Sequence, residues 1–160
     1  MNDDQIHDNV NLFHYSSEPW TLDRSRTYVR DLDRMWFKPT GLWLSVGDDW
    51  ERWCRGEEFN LEGLRYKTEV VLVSDANVLR LADEDDIDRF TQKYTDHLSH
   101  NRMPGYVNWM PVVQQYSGII IAPYCWPRRL TDHTMWYYSW DCASACIWDL
   151  SAIAKEEVSA

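Results

Sequence analysis

A single α+β domain built from many short strands is the fold class this sequence predicts, and three observations predict it. Ile119-Ile120-Ile121-Ala122 is a continuous apolar run, the pattern of a strand covered on both faces. Ile87, Phe90, Tyr94 and Leu98 recur at helical spacing behind a run of acidic residues. The chain has 160 residues with no internal repeat and no low-complexity linker, which fits one domain large enough to bury a core.

The elements follow in order. Residues 1–10 are polar and expected to be disordered, so the domain is expected to span 11–153. Residues 11–16 read as a short strand, with Leu12, Phe13 and Tyr15 around His14. Residues 17–36 mix charges and aromatics without a period; their arginines sit among Asp23, Asp31 and Asp33, and local pairing is expected. Lys38-Pro39-Thr40-Gly41 is a turn signal, and residues 42–46 are the strand after it. Gly47-Asp48-Asp49 leads into a short helix over 50–55, whose Trp50, Trp53 and Cys54 share one apolar face.

Residues 69–74 form a Val-rich strand, which 78–81 continues or pairs with. Asp83 is the cap of the next helix, and the helix dipole favours the acidic residues of its first turn without any metal. Asn108 caps a further helix reaching Tyr116, with Pro111 tolerated in its first turn. Trp136-Tyr137-Tyr138 reads as an alternating strand that buries Trp136 and Tyr138 on one face. The last strand covers about 143–149, and 154–160 is expected to be a loose tail.

Ten tryptophans, nine tyrosines and four phenylalanines must fill much of the core, yet tryptophan is rarely buried whole. A Trp-rich core is therefore the expectation for most of the ten, with an aromatic-lined cleft or contact face open for the remainder. The net charge of -10 repels phosphate backbones, which disfavours generic nucleic-acid binding while leaving room for local basic spots. Two such spots are Arg24, Arg26, Arg30 and Arg34, and the pair Arg128-Arg129. Met1-Asn2-Asp3-Asp4 has neither a basic nor an apolar stretch, so no secretory signal is expected there. No run approaches the roughly 18 apolar residues of a membrane span, and a cytoplasmic protein with reduced thiols is the expectation.

Cys142 and Cys146, with His133 upstream, invite a zinc site. On a strand, residues four apart are separated by about 13 Å and cannot share one tetrahedral ion; only helical winding would bring them together. Buried structural thiols are expected instead, and no metal.

Three segments carry the functional signal: Phe13-His14-Tyr15-Ser16, Gly41-Leu42-Trp43-Leu44-Ser45, and the stretch from Ala143 to Ile153 that contains Trp148-Asp149-Leu150-Ser151. In this order they resemble the ADP-ribosyltransferase fold of the diphtheria-toxin and poly-ADP-ribose-polymerase type. That family has a His on its first strand, a Tyr in a Gly-Ile-Tyr-Phe-type strand, and a Glu in a late strand ending in Asp-Ile-Ser. The resemblance implies two small mixed or antiparallel sheets flanked by short helices, and NAD as substrate.

It also implies roles for residues. His14 would hold a ribose hydroxyl, with Tyr15, Ser16 and Ser45 beside it. Trp43 would stack the nicotinamide in place of Tyr, since indole presents the strongest π face. Ser144 occupies the position of the catalytic Glu, and Asp141, three residues earlier, is the carboxylate that could replace it. Breaking a nicotinamide–ribose bond needs such a charge against the developing cation.

Absence of the Glu predicts slow mono-transfer or binding without chemistry, and argues against polymer synthesis. Residues 125–141 correspond to the family's target-recognition loop and would meet a macromolecular acceptor. Two other readings stay open: a protein that captures NAD, ADP-ribose or a related nucleotide, and an interaction module on the same scaffold.

Overall fold

The computed structural model describes residues 10–28, 37–95 and 106–158. In chain order the regular elements begin with β1 (Leu12–Ser16), β2 (Leu42–Val46), α1 (Asp49–Gly56) and a 3-10 turn (Leu61–Leu64). β3 (Tyr66–Leu72), β4 (Val78–Leu81), α2 (Glu84–Tyr94), α3 (Trp109–Gln115) and β5 (Gly118–Ile121) follow. The last part holds 3-10 segments at Trp126–Arg128, Asp132–Ser139 and Leu150–Ala152, with β6 (Ser144–Ile147) and β7 (Ile153–Val158). The strands form one mixed sheet in the order β4-β5-β6-β2-β1-β3-β7, parallel only at β4–β5.

One sheet stands where the resemblance implies two. The two halves are joined by a short antiparallel ladder between β1 and β2, Leu12↔Val46 and Phe13↔Ser45, continued by the Gly47 amide donating to the Asn11 carbonyl at 2.8 Å. Beyond Phe13 the two strands part. Each keeps its other neighbour: β1 pairs with β3 over its full length, from Leu12 to Ser16, and β2 with β6 from Leu42 to Ser45. The sheet is continuous at one end of this joint and open at the other.

Strand alternation divides the core between the two faces. Ile119, Ile121 and Cys146 join the aromatic cluster of Phe90, Trp109, Trp136 and Trp140, whereas Ile120, Ala145, Ile147, Leu42, Leu44 and Leu12 join the opposite cluster. The Ile run of β5 is covered on both faces, as its sequence predicts. Asp83 caps α2 by accepting from the Asp86 amide at 2.8 Å, and Ile87, Phe90 and Tyr94 are its buried stripe. Leu98, the next member of that stripe, lies outside the described residues, as does the N-terminal segment 1–9. Asn108 caps α3 through the Met110 amide.

Three expectations are corrected. β4 does not continue or pair with β3; it runs parallel to β5. Asn77 diverts it, donating from its side chain to the Gln115 carbonyl at 2.7 Å and accepting the Ser117 amide at 2.8 Å, immediately before β5.

Trp136-Tyr137-Tyr138 is not an alternating strand. It lies within the Asp132–Ser139 3-10 segment, where Trp136 and Tyr137 are buried and Tyr138 is 52% exposed. Polar anchors select that winding: the Trp136 indole donates to Thr91 Oγ1 at 2.9 Å, and the Tyr137 hydroxyl accepts the Cys125 amide at 2.8 Å.

Residues 154–158 are not a loose tail; they belong to β7, which pairs antiparallel with β3. Its polar composition is that of an edge strand with one solvated side. Arg24 covers that edge, donating to the Ile153 and Ala154 carbonyls at 2.9 and 3.2 Å.

Candidate functional site

Where β1 and β2 part, a cavity of ≈ 350 Å³ opens. Its walls include three consecutive residues from each strand, Phe13-His14-Tyr15 and Trp43-Leu44-Ser45. A continuous ladder would present alternate residues to one side only; the divergence is what lets neighbours in sequence border the same space. Asp141, Cys142 and Ser144 close it from the start of β6, and Lys38, Trp50, Asn60 and Trp140 complete the lining.

Of the residues singled out by sequence, His14, Tyr15, Trp43, Ser45, Asp141 and Ser144 all border this cleft. Ser16 does not; its hydroxyl donates to the Glu18 carbonyl at 2.8 Å. The β2–β6 register brings the second and third segments together, with Ser45 opposite Ser144 and Trp43 opposite Cys146. Trp43 meets Trp140 edge-on at 4.9 Å, and the Lys38 ammonium lies 5.1 Å from its ring centroid. Trp50 forms another aromatic wall, stacked on Trp53 at 5.1 Å.

Alternation turns His14 to the side of Leu12, so its ring packs on Trp20 at 4.1 Å while Trp43 and Ser144 face the aromatic cluster. It reaches the cleft because β1 has left β2 there. Burial lowers its pKa, opposed by hydrogen bonding with the Trp43 backbone. Among the described residues its Nδ1 is buried without a hydrogen-bond partner.

The Tyr15 hydroxyl donates to Glu51 at 3.3 Å, and burial with that carboxylate raises its pKa. Ser45 is committed to the turn into α1: its hydroxyl donates to the Gly47 carbonyl and accepts the Trp50 amide, both at 3.0 Å. The Ser144 hydroxyl donates to the Cys142 carbonyl at 2.9 Å.

Asp141 is the one carboxylate among the lining residues and sits 3.5 Å from Arg129. Burial pushes the Cys142 thiol up to about 11, so it remains protonated at neutral pH and is a poor nucleophile. Cys146, fully buried, is raised as well. All four cysteines are unpaired and buried, and no cluster of three or more metal-ligating side chains occurs among the described residues.

Lys38, Trp140 and Cys142 were not singled out by sequence. Lys38 carries only a turn signal in the sequence, and the spacing of Cys142 speaks only to metal binding. Trp140 was one aromatic among many. Conversely, the basic pair is used internally: Arg128 bonds Asp88 at 2.7 and 2.8 Å and Glu84 at 2.6 Å, while Arg129 donates to the Tyr124 hydroxyl at 2.7 Å. Arg30 and Arg34 lie outside the described residues. No described helix is long and apolar enough to cross a membrane. No protein-family model, curated protein or solved structure matches this chain.

Proposed function

We propose that the cleft receives the nicotinamide–ribose end of NAD and that the protein acts as a mono-ADP-ribosyltransferase-like protein on a macromolecular or small acceptor. The observation that carries this reading is the convergence of His14, Trp43, Asp141 and Ser144 on one cavity at the parting of β1 and β2. The aromatic walls suit a planar ring, and the His14 nitrogen, unpartnered among the described residues, suits a ribose hydroxyl.

In the reaction, the bond from the ribose anomeric carbon to the nicotinamide nitrogen breaks and its electron pair leaves with the ring. Positive charge develops on the ribose. Asp141 is the lining group able to oppose that charge; neutral Ser144 cannot. Acceptors would approach over residues 125–141, where Trp126 and Tyr138 are exposed around Arg129.

Two observations favour a second reading, capture of NAD or ADP-ribose without chemistry. Arg129 already engages Asp141, and the Lys38 cation occupies a face of Trp43, both unfavourable to a cationic nicotinamide. Nicotinamide release and NAD binding, measured for the parent, Asp141→Asn and Ser144→Glu, separate the readings. Turnover lost on Asp141→Asn by about a hundredfold or more supports transfer. NAD bound by all three with no release supports capture, and absence of binding removes the NAD reading.

A further inference from the structure

We infer that Lys38 is the phosphate-recognition residue of this cleft, so that its ligand carries an anionic phosphate beside the aromatic ring. The inference rests on the cleft being a nucleotide site, as proposed above, and names the part of the ligand that the sequence signals leave unassigned. Lys38 is the one Lys or Arg among the lining residues. Long lysine side chains ordinarily extend their charge into water. This one is half-buried and holds its ammonium over Trp43 inside the cleft.

Among the described residues its charge has no close carboxylate partner: none lies within 4.0 Å of it, and the Asp141 carboxylate is engaged by Arg129. Burial accordingly lowers the Lys38 pKa, with Asp141 opposing the shift. A desolvated cation with no close carboxylate among the described residues costs stability, and an anion entering the cleft would relieve that cost. Since the protein as a whole carries a charge of -10, an anionic ligand needs such a local cation to overcome the overall field.

The backbone holds the lysine at the rim. Pro39, buried, follows it and its carbonyl accepts from Cys146 Sγ at 3.8 Å. Gly41 packs so closely on β6 that an added Cβ would lie 2.7 Å from the Ile147 carbonyl oxygen. With its backbone pinned, the flexible side chain can swing from the face of Trp43 to a phosphate. That motion would free the face for the ring and neutralise the cation that opposes a nicotinamide.

Inorganic pyrophosphate, NAD and nicotinamide riboside (which has no phosphate) are the probes, titrated calorimetrically into the parent, Lys38→Gln and Lys38→Arg, with thermal melting to verify folding. Pyrophosphate and NAD should bind the parent with an affinity that falls as salt rises. Lys38→Gln should weaken both by about ten- to a hundredfold, the worth of a charged hydrogen bond, while Lys38→Arg stays within a few-fold. Nicotinamide riboside, with a cationic ring and no phosphate, should bind the Gln variant at least as tightly as the parent, because the substitution removes the cation that opposes its ring.

Equal affinity of the folded Gln variant for pyrophosphate and NAD would overturn the role of Lys38. So would a parent that binds nicotinamide riboside as tightly as NAD and ignores pyrophosphate, an outcome that leaves the nicotinamide reading standing. Lys38-dependent pyrophosphate binding without any affinity for NAD or the riboside would support the phosphate site and overturn the NAD reading instead. Failure of every probe to bind the parent would overturn both.

Discussion

Replacing Trp43 with leucine keeps an apolar side chain at the centre of β2 while removing the flat π face that the NAD reading requires. Two interactions of the ring are lost in the free protein: the edge contact with Trp140 at 4.9 Å and the Lys38 ammonium at 5.1 Å. An aromatic pair is worth about 0.5–1.5 kcal/mol beyond its area, and a part-exposed cation–π contact about 0.5–1 kcal/mol. Unfolding free energy should therefore fall by about 1–2.5 kcal/mol. In a domain of this size that corresponds to a drop in Tm of roughly 2–10 °C.

Ligand affinity should fall separately. A lost stacking platform costs about 1–3 kcal/mol, or about 5- to 150-fold in Kd. Calorimetric titration of NAD against the parent, Trp43→Leu and Trp43→Phe, alongside thermal melts, distinguishes the two effects. The Phe variant keeps a ring face and should lose less affinity than the Leu variant. A folded Leu variant with the expected melting shift and an unchanged Kd for NAD would refute the reasoning: Trp43 would then be a wall of the core and nothing more.

Gly41→Ala should cost about 1–3 kcal/mol by overpacking, because the new Cβ would meet Cys146 Sγ and the Ile147 carbonyl, both at 2.7 Å; urea unfolding measures it, and an unchanged midpoint would show that β2 can shift from β6. Asp88 is held at about 2, first by its hydrogen bonds to Arg128 and further by His133, below its ordinary 3.8. A depressed carboxylate stabilises the fold above its unfolded pKa and loses that contribution as pH falls through the folded one. With 36% of its side chain exposed, solvent screening leaves on the order of 1 kcal/mol. Denaturation of parent and Asp88→Asn should differ by that amount above about pH 4 and converge near pH 2; a gap independent of pH would assign the loss to packing.

Much of the local structure is legible in the amino-acid order because its causes are short-range. Asp83 caps α2 through an amide three residues on, and the stripe of Ile87, Phe90 and Tyr94 needs only helical periodicity to find the core. The Ile run of β5 announces a strand covered on both faces for the same reason. Only likeness to a family links His14, Trp43, Ser144 and Asp141 in the sequence, since nothing in their spacing alone says that they meet.

Their meeting was decided by long-range pairing. Ser45 faces Ser144 through the β2–β6 register, and the cleft exists because β1 leaves β2 after Phe13. β7 escaped sequence reading because an edge strand can be polar: its backbone partner, not its side chains, makes it a strand. Tyr137, not Tyr138, is buried because the Cys125 amide lies within reach of its hydroxyl. Lys38 is the clearest division between the two levels. Sequence places it in a turn before Gly41, and a turn lysine ordinarily points into water. Only the anchoring of Pro39 and Gly41 against Cys146 and Ile147, more than a hundred residues away, brings its ammonium over Trp43. A contact across that separation depends on how the whole sheet closes, which no local pattern encodes.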